Sequence, residues 1–333
     1  MFLPKKFTDE SKINFVHTSS PVSKSDLKEF NKLVEFLKKT HKDVNVFDVE
    51  RGNLDPRYLA ASENERLRKF KRAINDVDWL APIYGGTGCA DIVRYLNDED
   101  LNDFRRNRPI VNGFSDTTFL LDYLYFKLRL PTFHYSNACG ILGHTNHKQF
   151  FDIISGKIKE YSYKRTAYQW LSPNEGPKTK IEGIAIGGNF STFRDLLDIC
   201  EIKPRSWEDY ILFIEDIELD LEDLHRVIIS LDERGIFMHV KAVVLGAMNE
   251  KGFDSTWNKL NSIFGDKKKV DHMFEYLISD VIEERTEDRD PLYILKVDNF
   301  GHGIYKDHMI LPIGAKTTLY PDGKIEFIGP FVE

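Results

Sequence analysis

Short apolar runs alternate with charged, amphipathic stretches through the first half of the chain. Ile13-Asn14-Phe15-Val16 and Val44-Asn45-Val46-Phe47 read as strands, as do Trp79-Leu80-Ala81-Pro82-Ile83 and Pro109-Ile110-Val111. Between the first two, Leu27, Phe30, Val34 and Leu37 recur at helical spacing. Ser23 followed by Asp26 marks that helix start, because each side chain can satisfy a free backbone N–H there. Glu63 to Ile74 is a charged amphipathic helix, Asp91 to Leu96 begins another, and Phe119 to Leu128 is a long apolar one. Strands alternating with helices predict parallel βαβ units, hence an open α/β sheet within residues 1–160. Ligand sites of such sheets lie beyond the carboxyl ends of the strands. Two glycine-containing turns fall there: Gly85-Gly86-Thr87-Gly88 and Gly113-Phe114-Ser115-Asp116-Thr117.

The pattern then changes. Residues 161–180 are polar and carry Pro173, Asn174, Glu175, Gly176 and Pro177, the composition of a linker. Beyond it, residues 181–333 read as a β-rich second domain with one clear helix, Leu221 to Arg234, closed by Gly235. Its strands are Ile181 to Ile186, Tyr210 to Ile214, Lys241 to Leu245, Tyr293 to Val297 and Met309 to Ile313. Pro321-Asp322-Gly323 makes the turn of a terminal hairpin. No internal repeat or low-complexity segment interrupts either half.

Composition narrows the function classes. A chain of 333 residues suits two domains, and 41% apolar with 30% charged residues is a globular balance. The net charge of −7 disfavours a protein whose main task is gripping nucleic acid. No run of about 18 apolar residues predicts a membrane span. The three cysteines, Cys89, Cys139 and Cys200, make no disulfide framework and suit a reducing compartment; with no apolar leader at the N-terminus, the cytoplasm is the expected location.

Ser115 is the leading candidate for chemistry. It sits in a strand–turn–helix passage, which can push a hydroxyl out of the backbone contour and aim N–H groups at an oxyanion. A nucleophilic serine needs a base, and the base an orienting group. Glu215 follows an apolar strand, and His302 is flanked by Gly301 and Gly303 after another. Each also has a plainer reading: Ser115 as a helix cap, Asp116 as a helix-dipole partner, Glu215 as a strand terminus, His302 as a turn residue. The glycines at 85–88 can offer a backbone N–H to an oxyanion or merely make a turn. His134, His144 and His147 lack the spacing of a metal site, and neither metal nor cofactor is expected. Cys89, at a strand-to-helix turn, reads as a small buried residue or a thiol of lowered pKa.

Several segments together resemble the LD-carboxypeptidases, a family that includes the microcin C immunity peptidases. Leu59-Ala60-Ala61-Ser62-Glu63-Asn64-Glu65-Arg66 resembles the segment that opens the family's acidic helix. Ile83-Tyr84-Gly85-Gly86-Thr87-Gly88 with Arg94-Tyr95-Leu96 resembles its Gly-Gly-x-Gly…Arg-x-Leu, and Gly113-Phe114-Ser115-Asp116-Thr117-Thr118-Phe119-Leu120 its Gly-Tyr-Ser-Asp-x-Thr-x-Leu turn. Gly187-Gly188-Asn189-Phe190-Ser191-Thr192, Phe213-Ile214-Glu215-Asp216 with His225-Arg226, and Phe300-Gly301-His302 complete six matches in order. Phe114 replaces the usual tyrosine and Phe190 the usual leucine, neither expected to bear on the chemistry. His225 stands where an aspartate is common, and Cys89 where a small residue is.

The resemblance implies a Rossmann-like N-terminal domain with a β-rich C-terminal domain, a homodimer, and a serine peptidase. Ser115 would be the nucleophile, His302 the base, Glu215 its orienting partner, and the N–H groups of Gly86 and Asp116 the oxyanion hole. The implied substrate is a murein tetrapeptide losing its terminal D-alanine, whose carboxylate Arg94 could pair. An aminoacyl-nucleotide antibiotic is the alternative, with Trp170 as a base-stacking aromatic. A non-catalytic α/β ligand-binding protein is the rival from another class.

Overall fold

Two sheets share the chain, and the chain returns to the first after building most of the second. The computed structural model describes residues 2–49, 58–163, 168–200, 204–217, 219–249, 262, 273–285, 292–303 and 306–333. Strands β1 (Ile13–Val16), β2 (Val44–Phe47), β3 (Trp79–Pro82), β4 (Ile110–Gly113) and β5 (Thr132–His134) pair in parallel in the order β5-β4-β3-β1-β2. Helices Lys24–Lys38, Glu63–Ile74, Asp98–Asn107 and Thr118–Leu128 connect them, as the alternation predicts. Ser23 caps the first, accepting from the Asp26 N–H at 3.1 Å. β1, β3 and β4 are buried along their whole length, as parallel strands covered on both faces must be. Polar bonds cross this core: the Trp79 indole donates to Asn112 at 2.6 Å, and the Asn112 amide donates to the Ser136 carbonyl at 2.6 Å.

The second sheet contains β6 (Glu160–Tyr163), β7 (Tyr168–Ser172), β8 (Ile181–Asn189), β9 (Tyr210–Ile217), β10 (Ala242–Asn249), β11 (Tyr293–Gly301), β13 (Lys316–Leu319) and β14 (Ile325–Ile328). Their order is β6-β14-β13-β8-β9-β10-β11-β7, with β8 to β11 parallel and the flanks antiparallel. The polar stretch 161–180, expected to be a linker, thus supplies strands at both edges of this sheet. Edge strands need only one apolar face, so their composition resembles that of a loop.

β12 (Leu311–Ile313) also departs from expectation. It leaves the second half and pairs antiparallel with β5, Leu311 opposite His134, to form the sixth strand of the first sheet. Helices Phe190–Leu196, Leu221–Glu233, Ile236–His239 and Met273–Arg285 make the second half more helical than the single expected helix. Thr118–Leu128 packs against β5, β8 and the helix Phe190–Leu196. That enclosure explains why it is apolar on nearly every side. Among the described residues no helix is long and apolar enough to cross a membrane.

The strands approaching the site run further than their apolar cores. β9 continues through Glu215 and Asp216 to Ile217, and β11 through Asp298-Asn299-Phe300 to Gly301. The β10–β11 register shifts between Leu245, opposite Lys296, and Ala247, opposite Gly301. Gly246 permits this irregularity, since a Cβ there would lie 2.4 Å from the Phe300 carbonyl oxygen. The polar residues that read as strand ends are therefore paired backbone where the two sheets meet.

Arg66 ties the first sheet's loops together. It is fully buried and donates to the carbonyls of Ala61 (3.1 Å), Gly88 (2.8 Å) and Thr18, and to the Asp91 carboxylate (3.0 Å). Arg66→Met would strand these acceptors, and urea denaturation should show a loss of about 3 kcal/mol. A loss below about 1 kcal/mol would show that the guanidinium bonds are not a net support.

Candidate active site

Ser115 occupies a strained turn. Its φ is +61°, in the left-handed region that non-glycine residues rarely enter. It ends the extension of β4 and opens a tight turn, Ser115–Thr117, which runs directly into the helix Thr118–Leu128. Asn137 clamps this elbow. Its Oδ1 accepts from the Phe114 N–H at 3.1 Å and the Thr117 hydroxyl at 2.9 Å, and its Nδ2 donates to the Phe114 carbonyl at 3.1 Å. Sequence reasoning passed over Asn137; its place just beyond the end of β5 was the available signal.

The glycine turn packs against the same elbow. A Cβ on Gly85 would lie 3.1 Å from Asn137 Nδ2 and 3.3 Å from Ser115 Cβ, so the glycine backbone packs tightly beside the serine. Gly86 has φ +99°, and a Cβ there would lie 2.3 Å from Ser20 Oγ. Ser20 pins the turn by donating its N–H to the Gly85 carbonyl (3.1 Å) and accepting from the Thr87 N–H (3.1 Å). The buried Asp116 carboxylate binds neighbouring segments, accepting from the Ser19 hydroxyl at 2.6 Å and the Cys89 N–H at 2.8 Å. Burial nevertheless pushes its pKa up to about 6. The Cys89 thiol is wholly buried and driven well above its usual pKa, which removes it as a reactive thiol.

Glu215 and His302 form the second element. Glu215 has no solvent exposure. Its Oε2 accepts from His302 Nδ1 at 2.6 Å and from the His302 backbone N–H at 3.0 Å. Burial opposes the charge, but His302, together with His134, outweighs it and holds the carboxyl below its ordinary pKa. Gly301 makes this approach possible: it has φ +97°, and a Cβ there would lie 2.5 Å from Glu215 Cβ. Because the carboxylate can only accept, the His302 Nδ1 carries the hydrogen, which in the neutral ring leaves the lone pair on Nε2.

Phe114 joins the two elements. Its ring centroid lies 4.5 Å from His302, 5.1 Å from His134 and 5.2 Å from His308. The replacement of the family's usual tyrosine, expected to have no bearing on the chemistry, therefore lies against the histidine paired to Glu215. Asp216, beside Glu215, is held by the Asn189 amide (2.9 Å) and the Ser191 N–H (2.8 Å), tying the Gly-Gly-Asn segment to β9. Burial and then Glu215 raise the Asp216 pKa to about 6.

The other candidates lie apart. Arg94 is exposed, its Nε donating to the Ala90 carbonyl of its own turn at 3.1 Å, and it has no ion-pair partner among the described residues. Trp170 is in β7, only 5% exposed, with its indole N–H donating to the Pro321 carbonyl at 3.0 Å and its ring against Gly176 and Tyr293. It packs this edge of the sheet and presents no open face for a base to stack on. His144 packs on Tyr135 and His308, and the His147 ring bonds the His144 carbonyl at 2.7 Å. Among the described residues no three His, Cys, Asp or Glu side chains converge as metal ligands.

Fold and site together define an α/β chain in which a strained serine turn lies, through Phe114, against a buried carboxylate–imidazole pair. The family's two halves both match: the LD-carboxypeptidase N-terminal domain over residues 13–135 and the LD-carboxypeptidase C-terminal domain over residues 182–319. The chain belongs to the LD-carboxypeptidase family. The microcin C7 self-immunity protein MccF of Escherichia coli is 25% identical, over 94% of this chain and 91% of that protein. The structure of MccF in complex with glutamyl sulfamoyl guanosine superposes with a TM-score of 0.75 at 19% identity, covering 100% of both chains. A muramoyltetrapeptide carboxypeptidase from Oxalobacter formigenes gives 0.66 at 22% identity, covering 95% of this chain and 99% of that one. The two superpositions establish the shared fold.

The raised pKa of Asp116 carries a stability signature. A carboxyl at about 6 when folded and 3.8 when free holds its proton more tightly in the folded state. Its contribution is therefore full below about pH 4 and is lost as pH rises through about 6. Relative to Asp116→Asn, the wild type should lose up to about 3 kcal/mol of unfolding free energy across that window. Parallel stability–pH curves for the two proteins would refute the assignment.

Proposed function

We propose that this chain is a serine peptidase that hydrolyses an amide bond. The observation that carries the reading is the buried Glu215–His302 hydrogen bond of 2.6 Å, set against the residue preceding a serine held at φ +61°. His302 Nε2 takes the Ser115 proton as Oγ attacks the carbonyl carbon, and later delivers it to the leaving amine. Glu215 holds the imidazole tautomer and stabilises the imidazolium. The backbone N–H groups of Gly86 and Asp116 bind the tetrahedral oxyanion, a role suited to the bare backbone beside Ser115.

The substrate we favour is a murein tetrapeptide, cleaved at its LD-bond to release the terminal D-alanine. Family membership supports this, and the exposed Arg94 is available to pair a substrate carboxylate. The alternative is cleavage of an aminoacyl-nucleotide, supported by the end-to-end likeness to a protein solved with glutamyl sulfamoyl guanosine. The burial of Trp170 weighs against its stacking on a nucleobase, which supports the peptide reading. A cytoplasmic homodimer completes the reading, resting on the sparse free cysteines and on the family resemblance.

Wild type and Ser115→Ala should be compared on a murein tetrapeptide and on an aminoacyl sulfamoyl-adenylate. The wild type should release D-alanine, and Ser115→Ala should lower kcat by about 10⁴-fold or more while keeping the fold. Turnover of the adenylate alone would select the alternative. Equal rates for wild type and variant would remove Ser115 from the mechanism. A wild type that turns over neither substrate and resists a serine-directed phosphonate would be the non-catalytic binding protein.

A further inference from the structure

The Glu215 carboxylate has a second histidine beside it, on the oxygen that His302 does not use. His134 ends β5 in the first sheet and reaches across to β9 in the second; its Nε2 lies 4.0 Å from Glu215 Oε1. Both atoms are buried, and neither has a hydrogen-bond partner among the described residues. Buried polar atoms are nearly always paired, and leaving two unpaired face to face is costly. The approach is shaped by the surroundings. Gly188 has φ +151°, and a Cβ there would lie 2.6 Å from His134 Cδ2 and 2.9 Å from Nε2. Phe114 and Phe300 flank the imidazole at 5.1 and 5.4 Å. A movement of about 1 Å would bring Nε2 and Oε1 to hydrogen-bond distance.

We propose that His134 is a positioning residue for the Glu215–His302 pair: with a shift of about 1 Å its neutral imidazole donates from Nε2 to Glu215 Oε1, clamping the carboxylate between two imidazoles. The proposal rests on the serine-peptidase reading above. Burial lowers the His134 pKa to about 4, so the ring adds no positive charge near neutral pH, and the tautomer the contact selects is the one with its hydrogen on Nε2, facing the acceptor Oε1. The clamp fixes the rotation of the carboxyl group, which keeps Oε2 aimed at His302 Nδ1. It also draws electron density from the carboxylate and so tempers the basicity of His302.

Loss of the donor leaves Glu215 more basic, favours the His302 imidazolium, and moves the acid limb of activity to higher pH. Among the described residues the other titratable groups around the pair are Asp216, next to Glu215 on β9, His308 across Phe114, and His144 behind His308. All three are kept in the variants used.

The experiment measures the pH dependence of Ser115 labelling by a fluorophosphonate for the wild type, His134→Leu and His134→Gln, with Ser115→Ala as control. The phosphonate reports serine activation whatever the natural substrate is. His134→Leu should label roughly tenfold more slowly, with its acid midpoint raised by about half a unit. His134→Gln, which keeps a donor near the same place, should restore the midpoint and most of the rate. A labelled wild type whose His134→Leu variant has the same rate and midpoint overturns the inference alone. Equal slowing in both variants at the wild-type midpoint overturns it too, because that pattern marks packing. A wild type that is not labelled overturns the peptidase reading and this inference with it.

Discussion

A carboxylate with no exposure to water needs donors that replace its solvation, or it takes up a proton. Glu215 is held charged by the His302 ring and backbone N–H, both on the same oxygen. Much of the nearby backbone is shaped to permit that contact. Gly301 has no Cβ to collide with the Glu215 side chain, Gly246 admits the displaced end of β11, and Gly188 leaves room for His134. Each glycine lies in the second sheet near the carboxyl end of a strand, and at Gly246 and Gly301 the register of β10 and β11 also shifts.

The nucleophile side is organised by a different constraint. A left-handed serine persists only where its neighbours over-determine it. Asn137 does so with three bonds to the elbow, and Gly113 and Gly85 let Thr117 and Ser115 approach the backbone closely. Strain on one side and buried charge on the other meet at Phe114, which packs on three imidazoles. An aromatic ring there excludes water from the imidazole–carboxylate pair and so strengthens its electrostatics.

Periodicity made the first sheet legible, because β1 to β4 are apolar runs bounded by amphipathic helices. It failed for β6 and β7, whose half-polar faces resemble a loop, and for β12, whose three residues carry no mark of the sheet they join. Ser115, Glu215 and His302 stood out by their positions at apparent strand ends. Asn137 and the contact between Phe114 and His302 did not, because their roles depend on pairings between distant segments that no local pattern encodes. Trp170 shows the opposite error: a polar neighbourhood in sequence made an aromatic look available that the antiparallel pairing of β7 with β11 buries.

The return of β12 to the first sheet has a consequence for the order of events during synthesis. Leu311 pairs with His134, so the edge of the sheet that carries the serine elbow is completed by residues that follow most of the second sheet in the chain. A growing chain that has already folded β1 to β5 still lacks that edge until the second half has been made. The long loop closure this requires is slow relative to local folding. Completion of the first sheet is thereby coupled to the making of the second half.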